Sequence, residues 1–306
     1  MKIVATSPSF SKNTTLQKEI YSHFPSAKLN GDGTRFTKDE LIEFIKDADG
    51  LVVGLETIDG EVLDRCPNLK IISKYGVGLN NIDLDECKKR DIAIGWTGGV
   101  NRLSVAEMVL GFMLMFARNL FVTSNELKRG SWNKNGGFQL SEKTIGIIGV
   151  GYIGKEVIRL LKPFNCKILV NDIINQDKYY DDNSLEEVSK GEIYKRSDIV
   201  TIHTPHNKTT DNMITLDVLK TMKSSAYILN TARGGIINEQ DLKYALINDI
   251  IAGAGIDAYI EEPPTDREFI ELPNLICTPH IGGNSVEAVE AMGMSAIRHL
   301  KEFYKL

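Results

Sequence analysis

The sequence predicts an α/β protein of two domains, each built on a doubly wound parallel sheet with helices on both faces. The length of 306 residues is about twice that of an average domain. Short runs rich in β-branched residues alternate with amphipathic stretches through most of the chain, which is typical of parallel strands joined by helices. A stretch rich in glycine and polar residues, 95–101, separates an earlier series of strands from a later one. We interpret this stretch as a hinge between the domains.

The predicted strands fall into these two series, with helical patterns between them. In the earlier series the strands are residues 2–6, 50–53, 70–74 and 92–95, and the clearest helices are 38–47 and 84–90. In the later series the strands are 144–148, 167–171, 199–203, 226–230, 251–256 and 275–278. Each strand is followed by a helical pattern, so the connections are those of parallel sheets.

One long helix is predicted between the two series. Ser104 with Glu107 three residues later matches a capping box, so we expect the helix to begin there. Its apolar pattern continues to about Lys128, and Arg129-Gly130 would end it. A helix this apolar must be buried, either within one chain or against a second subunit.

Further helix starts follow from the spacing of capping residues. Ser184 precedes Glu187 by three residues and Asn238 precedes Asp241 by three, so both are predicted N-caps. The end of the chain, 285–306, is predicted to be one amphipathic helix. Its apolar positions near helical spacing are Val286, Val289, Met292 and Ile297.

Charge and composition exclude several classes of protein. There are 36 Lys and Arg against 41 Asp and Glu, a net charge of −5, so no basic field for nucleic acid is present. The longest apolar run, 108–117, is far shorter than the ~20 residues of a membrane span, and the start of the chain lacks a secretory signal. The cysteines, which show no Cys-x-x-Cys spacing, are Cys66, Cys87, Cys166 and Cys277. We therefore expect neither disulfides nor zinc, and a cytoplasmic location.

Residues 145–154 are a predicted strand that runs into a Gly-x-Gly-x-x-Gly pattern. Gly149 would make the tight turn, Gly151 would let a pyrophosphate approach the backbone, and Gly154 would let the following helix pack on the strand. The N–H groups at the start of that helix would bind the pyrophosphate. The binding residues predicted here are Gly149, Gly151, Tyr152, Ile153 and Gly154. The alternative is a structural turn that binds no ligand.

An acidic residue supports the dinucleotide interpretation. Asp172 ends the next predicted strand 18 residues after Gly154, close to the expected spacing of about 20. A carboxylate there accepts hydrogen bonds from the adenosine ribose hydroxyls and repels a 2′-phosphate. The residues that follow, Ile173-Ile174-Asn175, include no arginine. The sequence therefore favours NAD over NADP.

Three ionisable residues follow three consecutive late strands: Arg233, Glu262 and His280. Each alone has an ordinary interpretation, as a surface arginine, a loop acid or a structural histidine. Open α/β sheets bind their ligands beyond the carboxyl ends of the strands. Because all three residues occupy that position, we predict that together they form an active site.

The chain resembles the D-isomer-specific 2-hydroxyacid dehydrogenase family, and within it the phosphoglycerate dehydrogenase branch. The matching segments are SKYGVGLNNID at 73–83, 104–107, RGSW at 129–132, the glycine pattern, 195–200 and the segments around the three ionisable residues. The resemblance implies a Rossmann nucleotide domain, 101–284, inserted into a flavodoxin-like substrate domain made of 1–100 and 285–306. It further implies NAD as cofactor, hydride transfer to or from a small D-2-hydroxy acid or 2-keto acid, with a 3-phosphoglycerate-like acid among the candidates, and a homodimer.

The resemblance also implies a role for each site residue. His280 would be the general acid/base, with Glu262 paired to its imidazole. Arg233 would hold the substrate carboxylate in a bidentate manner. The backbone N–H groups of Val77 and Gly78 would hold the other side of that carboxylate. Implied cofactor contacts are Thr204, Pro205, Thr231, Ala232, Asp257 and Gly283, with Asp257 at the nicotinamide carboxamide.

The sequence departs from the family pattern at several positions. His206 stands where leucine is usual, and Glu56 would repel a substrate phosphate near its loop. His203 and His206 have no evident third ligand, so we expect no metal. The chain ends at Leu306, and we expect no C-terminal regulatory domain. Two other functions stay open: an NADH-sensing binding protein or corepressor on the same scaffold, and, more weakly, formate oxidation.

Overall fold

The computed structural model describes all residues, 1–306, and divides into two compact units. Unit 1 comprises Met1–Asn101 and Asn284–Leu306, and unit 2 comprises Arg102–Gly283. Each unit contains one parallel β-sheet with helices packed against it. The predicted fold class, two parallel-sheet α/β domains, is confirmed.

Unit 1 contains a five-stranded parallel sheet. Its strands are β1 (Ile3–Ala5), β2 (Lys28–Leu29), β3 (Gly50–Val53), β4 (Ile71–Lys74) and β5 (Ala93–Gly95). Its helices are α1 (Pro8–Lys12), α2 (Thr14–His23), α3 (Lys38–Ile45), α4 (Gly60–Asp64), α5 (Leu84–Lys89) and the last helix of the chain, α14 (Val286–Tyr304). The strand order is β2-β1-β3-β4-β5.

The central strands of unit 1 are buried at every position, as the continuous apolar runs predicted. The edge strand β2 was not predicted. Its two residues are an exposed Lys28 and a half-buried Leu29, too few to show a period. Its pairing with Val4 and Ala5 of β1 defines it instead.

The last helix, α14, packs against α2 and β4 of unit 1. Ser285 caps it by accepting a hydrogen bond from the Ala288 N–H at 3.2 Å. Gly293 permits the close approach to α2, because a Cβ there would lie 2.2 Å from the Leu16 side chain. Of the four predicted apolar positions, Val286 does not join the buried face of the helix. It is 71% exposed, because it is the first helical residue and precedes the part that packs.

Unit 2 contains a seven-stranded parallel sheet. Its strands are β6 (Thr144–Ile148), β7 (Lys167–Asn171), β8 (Glu186–Glu187), β9 (Ile199–Ile202), β10 (Tyr227–Asn230), β11 (Gly253–Ile256) and β12 (Leu275–Cys277). Its helices are α6 (Arg102–Ala117), α7 (Leu120–Lys128), α8 (Tyr152–Leu161), α9 (Asp177–Asp182), α10 (Lys190–Arg196), α11 (Leu216–Leu219), α12 (Glu239–Ile247) and α13 (Arg267–Ile270), with a 3₁₀ turn at Lys162–Phe164.

The strand order in unit 2 is β12-β11-β10-β9-β6-β7-β8. From β6 the chain moves outward through β7 and β8, then returns to the other side of β6 as β9. The direction of winding therefore reverses between β6 and β9, the position at which open α/β sheets bind ligands. Both faces are covered: Met113 of α6 and Ile158 of α8 are buried on one, and Ile193 of α10 and Leu242 of α12 on the other.

The predicted single helix between the strand series is wrong in two respects. It begins before Ser104, whose hydroxyl donates to the Gly282 carbonyl at 2.6 Å instead of capping the helix. It also breaks into α6 and α7, which are bent by 64°. The break has a long-range cause: the Phe138 N–H donates to the Ala117 carbonyl at 2.6 Å, and Asn119 adopts a left-handed φ of 54°. No single helix is long and apolar enough to cross a membrane, although the bent pair together has that length and composition.

The predicted N-cap at Ser184 is also wrong. Ser184 has a φ of 55° and lies in the turn before β8, where Glu187 belongs to a strand that pairs with β7. The next helix, α10, begins after β8. Its N-cap is Ser189, whose side chain accepts from the Glu192 N–H at 3.3 Å. The prediction at Asn238 is confirmed, since its side chain accepts from the N–H of the third helical residue of α12 at 3.0 Å.

Candidate active site

The three predicted catalytic residues lie beyond three adjacent strands of unit 2. Arg233 follows β10, Glu262 follows β11 and His280 follows β12, and these strands are neighbours in the sheet. Because the strands are parallel, their carboxyl ends lie along one edge of the sheet. Residues far apart in sequence are thereby brought to one place.

The loop that carries Arg233 is closed by the last residue of β10. The Asn230 carboxamide accepts from the Ala232 N–H at 3.1 Å and donates to the Arg233 carbonyl at 2.8 Å. Gly234 must be glycine, because a Cβ would lie 2.0 Å from the carbonyl of Tyr259, which crosses directly over it. The Arg233 loop and the loop after β11 therefore pack backbone to backbone.

The guanidinium of Arg233 is half-buried, and its Nη1 donates to the Ala232 carbonyl at 2.6 Å. Burial lowers the pKa of Arg233, and the negative charge of Glu262 opposes that change. An arginine keeps its charge in such surroundings, so a partly desolvated cation lies near the acid. A cation of this kind is suited to binding a carboxylate.

His280 and Glu262 form a close pair. The Nδ1 atom of His280 lies 2.8 Å from one carboxylate oxygen of Glu262 and 2.9 Å from the other. The Glu262 carboxylate also accepts from the Tyr259 N–H at 3.1 Å. Because a carboxylate only accepts hydrogen bonds, Nδ1 must carry a proton, and proton exchange with a ligand is assigned to Nε2.

Asp257 fixes the loop in which His280 lies. Its carboxylate is 1% exposed and accepts from the Thr278 hydroxyl at 2.6 Å and from the N–H groups of Ile281 and Gly282, each at 2.8 Å. His280, between these residues, has a left-handed φ of 54°. A non-glycine residue rarely adopts this conformation, so the surrounding bonds must hold it. The structure thus gives Asp257 a positioning contact, and its implied contact with a carboxamide stays a prediction.

The glycine pattern forms a turn between β6 and α8. Gly149 has a φ of +94°, and a Cβ there would lie 2.6 Å from the His203 carbonyl. Gly154 packs against the turn, since a Cβ would lie 2.2 Å from the Gly149 carbonyl. At Gly151, in contrast, nothing lies within 4 Å of a Cβ, and no side chain caps α8. An anion could therefore reach the N–H groups at the start of α8.

Asp172 links the end of β7 to the same turn. One carboxylate oxygen accepts from the Val150 N–H at 2.5 Å, and the other accepts from the Ile174 N–H at 2.9 Å. Ile173 and Ile174 beside it are 96% and 64% exposed. An acid with two exposed apolar neighbours therefore borders the glycine turn.

Two buried hydroxyl groups at the strand ends support a bound ligand. The Oγ1 atoms of Thr204, after β9, and of Thr231, after β10, are buried and have no hydrogen-bond partner. Buried polar atoms normally have partners, so a ligand group is needed to satisfy them. The open turn at Gly151 and these hydroxyls fit a dinucleotide. Further predicted contacts lie at the same edge: Pro205 after β9, Ala232 after β10, Gly283 after β12, and Tyr152 and Ile153 at the start of α8.

His203, at the end of β9, is a neutral histidine in this part of unit 2. Its Nε2 lies 3.0 Å from the Thr201 hydroxyl, and its Nδ1 is buried without a partner. Burial lowers the pKa of His203 to about 3. His206, three residues later, pairs with Asp211 at 2.8 Å. These contacts assign no ligand to either histidine.

The remaining predicted site residues lie in unit 1. Val77 and Gly78 are half-buried in the loop after β4. The Glu56 carboxylate is held between the loops after β1 and β3, where it accepts from the Thr6 hydroxyl at 2.8 Å and the Gly54 N–H at 3.1 Å.

Sequence reasoning missed supporting residues around the pair. The Tyr259 hydroxyl donates to the Thr278 carbonyl at 2.9 Å, and burial raises the pKa of Tyr259. Glu239, at the start of α12, accepts from the Ile260 N–H at 2.7 Å, and burial raises its pKa also. In the sequence, Glu239 resembles any acid in a first helical turn, so no local signal distinguishes it.

The chain is similar to one family model and to several known proteins. The model of the D-isomer specific 2-hydroxyacid dehydrogenase NAD binding domain matches residues 110–282. A D-3-phosphoglycerate dehydrogenase of Methanocaldococcus jannaschii is 37% identical over 88% of this chain, which spans about half (52%) of that relative. A hydroxypyruvate reductase of Thermotoga maritima is 36% identical over 86% of this chain and 87% of its own length.

A solved structure shares the fold along its whole length. The NAD-dependent formate dehydrogenase of Staphylococcus aureus, in complex with NAD, is 29% identical with a TM-score of 0.84 and covers 99% of this chain and 96% of its own. The chain belongs to the D-isomer specific 2-hydroxyacid dehydrogenase family. It is an oxidoreductase whose matched domain binds NAD, so the predictions of family and cofactor are confirmed.

Proposed function

We propose that this protein transfers hydride reversibly between NAD(H) and a small D-2-hydroxy acid or 2-keto acid. The observation that carries the proposal is the contact of His280 Nδ1 with both carboxylate oxygens of Glu262, at 2.8 and 2.9 Å. Unit 2 would be the NAD-binding domain and unit 1 the substrate domain, with boundaries near 101–284 in the sequence. The activities named for the relatives, phosphoglycerate dehydrogenase and hydroxypyruvate reductase, support this substrate class.

The residues divide the chemistry between them. Hydride exchange at the nicotinamide is the chemistry that NAD supplies when bound. In the oxidation of a hydroxy acid, the C2 hydride leaves and the C2 hydroxyl proton passes to Nε2 of His280. In reduction the same proton returns to the carbonyl oxygen. Glu262 keeps Nδ1 protonated and stabilises the imidazolium, as the acid of a catalytic triad does.

The substrate carboxylate requires donors of fixed direction. Arg233 offers a planar pair of N–H groups that match the two carboxylate oxygens, and its partial burial strengthens that interaction. The family resemblance also suggests the backbone N–H groups of Val77 and Gly78, in the loop after β4, as donors to a substrate carboxylate. Held in this way, the substrate presents C2 for hydride transfer.

A screen of NADH oxidation with glyoxylate, pyruvate, hydroxypyruvate and 3-phosphohydroxypyruvate tests this function. We expect turnover with at least one of them, and the comparison of the last two acids reports on the phosphate. Reduction of NAD by formate without turnover of any keto acid would favour a formate dehydrogenase. NADH binding without turnover of any of these compounds would favour a sensor protein.

A histidine variant makes the test specific. We expect His280→Ala to abolish turnover while NADH still binds. His23→Ala is the matched control, because His23 also pairs with a glutamate, Glu19 at 3.2 Å, but lies in α2 of unit 1. Turnover by His280→Ala close to the normal rate would contradict the acid/base assignment.

We also propose that the protein is a homodimer that uses the surface of α6 and α7. No residue of α7 is buried, and Leu120 and Leu127 are 51% and 56% exposed. Trp132, just beyond, is 79% exposed. Apolar side chains exposed together in this way are typical of an association surface. Light scattering after gel filtration should give twice the chain mass, and Leu127→Lys should give the monomer.

A further inference from the structure

Trp96 makes a single specific polar contact in unit 1. It directly follows β5, its side chain is 41% exposed, and its Nε1–H donates to the Val77 carbonyl at 2.9 Å. Val77 lies in the loop after the neighbouring strand, β4. A tryptophan on the rim of this loop is therefore bonded to the backbone that the proposed function assigns to the substrate carboxylate.

The contact of Trp96 with the Val77 carbonyl also determines the direction of the Gly78 N–H. The Val77 carbonyl and the Gly78 N–H belong to one planar peptide group and point in opposite directions when the peptide is trans. This peptide is trans, since the only cis bond in the chain is Glu262–Pro263. Fixing the carbonyl toward Trp96 therefore directs the Gly78 N–H away from it.

The loop after β4 contains two backbone N–H groups that are available to a ligand. The structure gives the N–H groups of Val77 and Gly78 no protein acceptor. Gly76 before them has a φ of +136°, a backbone conformation that residues with a side chain rarely adopt. Because glycine is conformationally permissive, a hydrogen bond from outside the loop restricts the conformations that the loop can adopt. A hydrogen bond to the carbonyl also polarises the peptide and makes its N–H a stronger donor.

The backbone next to Trp96 is linked to the last helix of the chain. The next residue, Thr97, has its hydroxyl 2.8 Å from Nε2 of His299 and 3.1 Å from an Nη2 atom of Arg298, both on α14. The contact between Trp96 and Val77 thus connects the loop after β4 to a fixed segment of the same unit.

We propose that Trp96 is a positioning residue for the substrate carboxylate, acting through the Val77–Gly78 peptide. This inference rests on the proposed function, in which the Gly78 N–H binds the carboxylate. Trp96 does not touch the substrate; its indole N–H sets the direction and strength of the donor that does. If the ring of Trp96 only packed against its neighbours, its N–H would have no part in orienting the loop after β4.

Trp96→Phe tests these two roles, because it keeps an aromatic ring at this position and removes the N–H together with the fused five-membered ring. We expect the KM of the best keto acid to rise about three- to tenfold, as loss of one hydrogen bond predicts. The kcat and the NADH dissociation constant should stay within about twofold, because an interaction made equally in the ground and transition states affects KM alone. Tyr21→Phe is the matched control: Tyr21 is 42% exposed in the same unit and also loses one polar hydrogen.

Hydrogen–deuterium exchange tests the anchor without any turnover. In the protein without substrate, amides of residues 76–79 should exchange faster in Trp96→Phe than in the wild type, and Tyr21→Phe should change neither exchange nor KM. If the wild type turns over no keto acid, the proposed function fails, and the exchange comparison still decides whether Trp96 orders the loop.

Unchanged exchange at 76–79 overturns the inference, and so does a fall in kcat with an unchanged KM. A fall in thermal stability together with weaker NADH binding also overturns it, because these would show a general structural role. Faster exchange together with a KM effect alone supports it.

Discussion

The Nδ1 atom of His280 lies 2.8 and 2.9 Å from the two carboxylate oxygens of Glu262. Hydrogen bonds from backbone N–H groups fix the Glu262 side chain and the loop of His280. The Tyr259 N–H donates to the Glu262 carboxylate at 3.1 Å, so the acid cannot easily turn away. The loop of His280 is bound to the buried carboxylate of Asp257. Because these hydrogen bonds fix both residues, the imidazole is preorganised for proton transfer.

Glu262→Gln should lower kcat by roughly tenfold to a hundredfold, a large part of what a positioned acid–base group contributes. The amide of glutamine can donate to Nδ1 and so favour the wrong tautomer of His280. NADH binding should not change, since the substitution leaves the glycine turn intact. Steady-state kinetics and NADH fluorescence measure both quantities.

The adjacent Glu261→Gln is the control for that variant. Glu261 accepts from the Thr265 hydroxyl at 2.8 Å. We expect it to keep normal kcat. If Glu262→Gln kept normal kcat as well, the pair would have no part in the chemistry.

Arg233→Lys should reduce kcat/KM by about 10- to 100-fold, because an ammonium cannot replace the planar pair of donors that binds a carboxylate. Arg267→Lys, at an exposed pair with Glu271 in the same unit, should change kcat/KM little. Keto acid kinetics at fixed NADH give the comparison. Equal values for the two variants would remove Arg233 from the substrate site.

Local pattern was sufficient for the longer strands of both sheets and for the order of the site residues along the chain, but not for the two-residue edge strands β2 and β8. The β3 and β6 runs were predicted with their observed bounds, because parallel strands that are buried at nearly every position are short segments of mostly apolar residues. Gly149 and Gly154 could be assigned from spacing, since each solves a steric problem that the sequence displays. Arg233 and His280 follow strands, and parallel sheets bring strand ends together.

Contacts between distant segments could not be predicted in this way. The end of α6 depends on the Phe138 N–H that bonds to Ala117, and nothing near residue 117 indicates that partner. Ser104 has the residue types of a capping box, but its hydroxyl bonds to Gly282, 178 positions later. The contact of Trp96 with Val77 likewise depends on the pairing of β4 with β5.

Asp172→Asn should narrow the preference for NADH over NADPH, with the ratio of dissociation constants falling about tenfold, because the negative charge that repels a 2′-phosphate is lost. The amide oxygen can still accept from the Val150 N–H, so the glycine turn should persist. Fluorescence titration with each cofactor measures the ratio. Asp177→Asn, an exposed acid at the start of α9, should leave the ratio unchanged. A ratio equally unchanged in Asp172→Asn would show that Asp172 does not select the cofactor.

The stability of the protein should depend on pH through His203. Burial holds its pKa at about 3 in the folded protein, whereas an unfolded histidine titrates at about 6.5. Protonation therefore favours the unfolded state: the stabilisation is complete above pH ~6.5 and declines by about 1.4 kcal/mol for each pH unit toward pH ~3. His203→Gln, which can keep the contact with Thr201 but does not titrate, should lose about 2 kcal/mol less between pH ~7 and pH ~5 than the wild type. Urea unfolding at the two pH values measures this difference, with His23→Gln in unit 1 as the control, and an identical pH dependence in wild type and His203→Gln would mean that His203 can be protonated without unfolding.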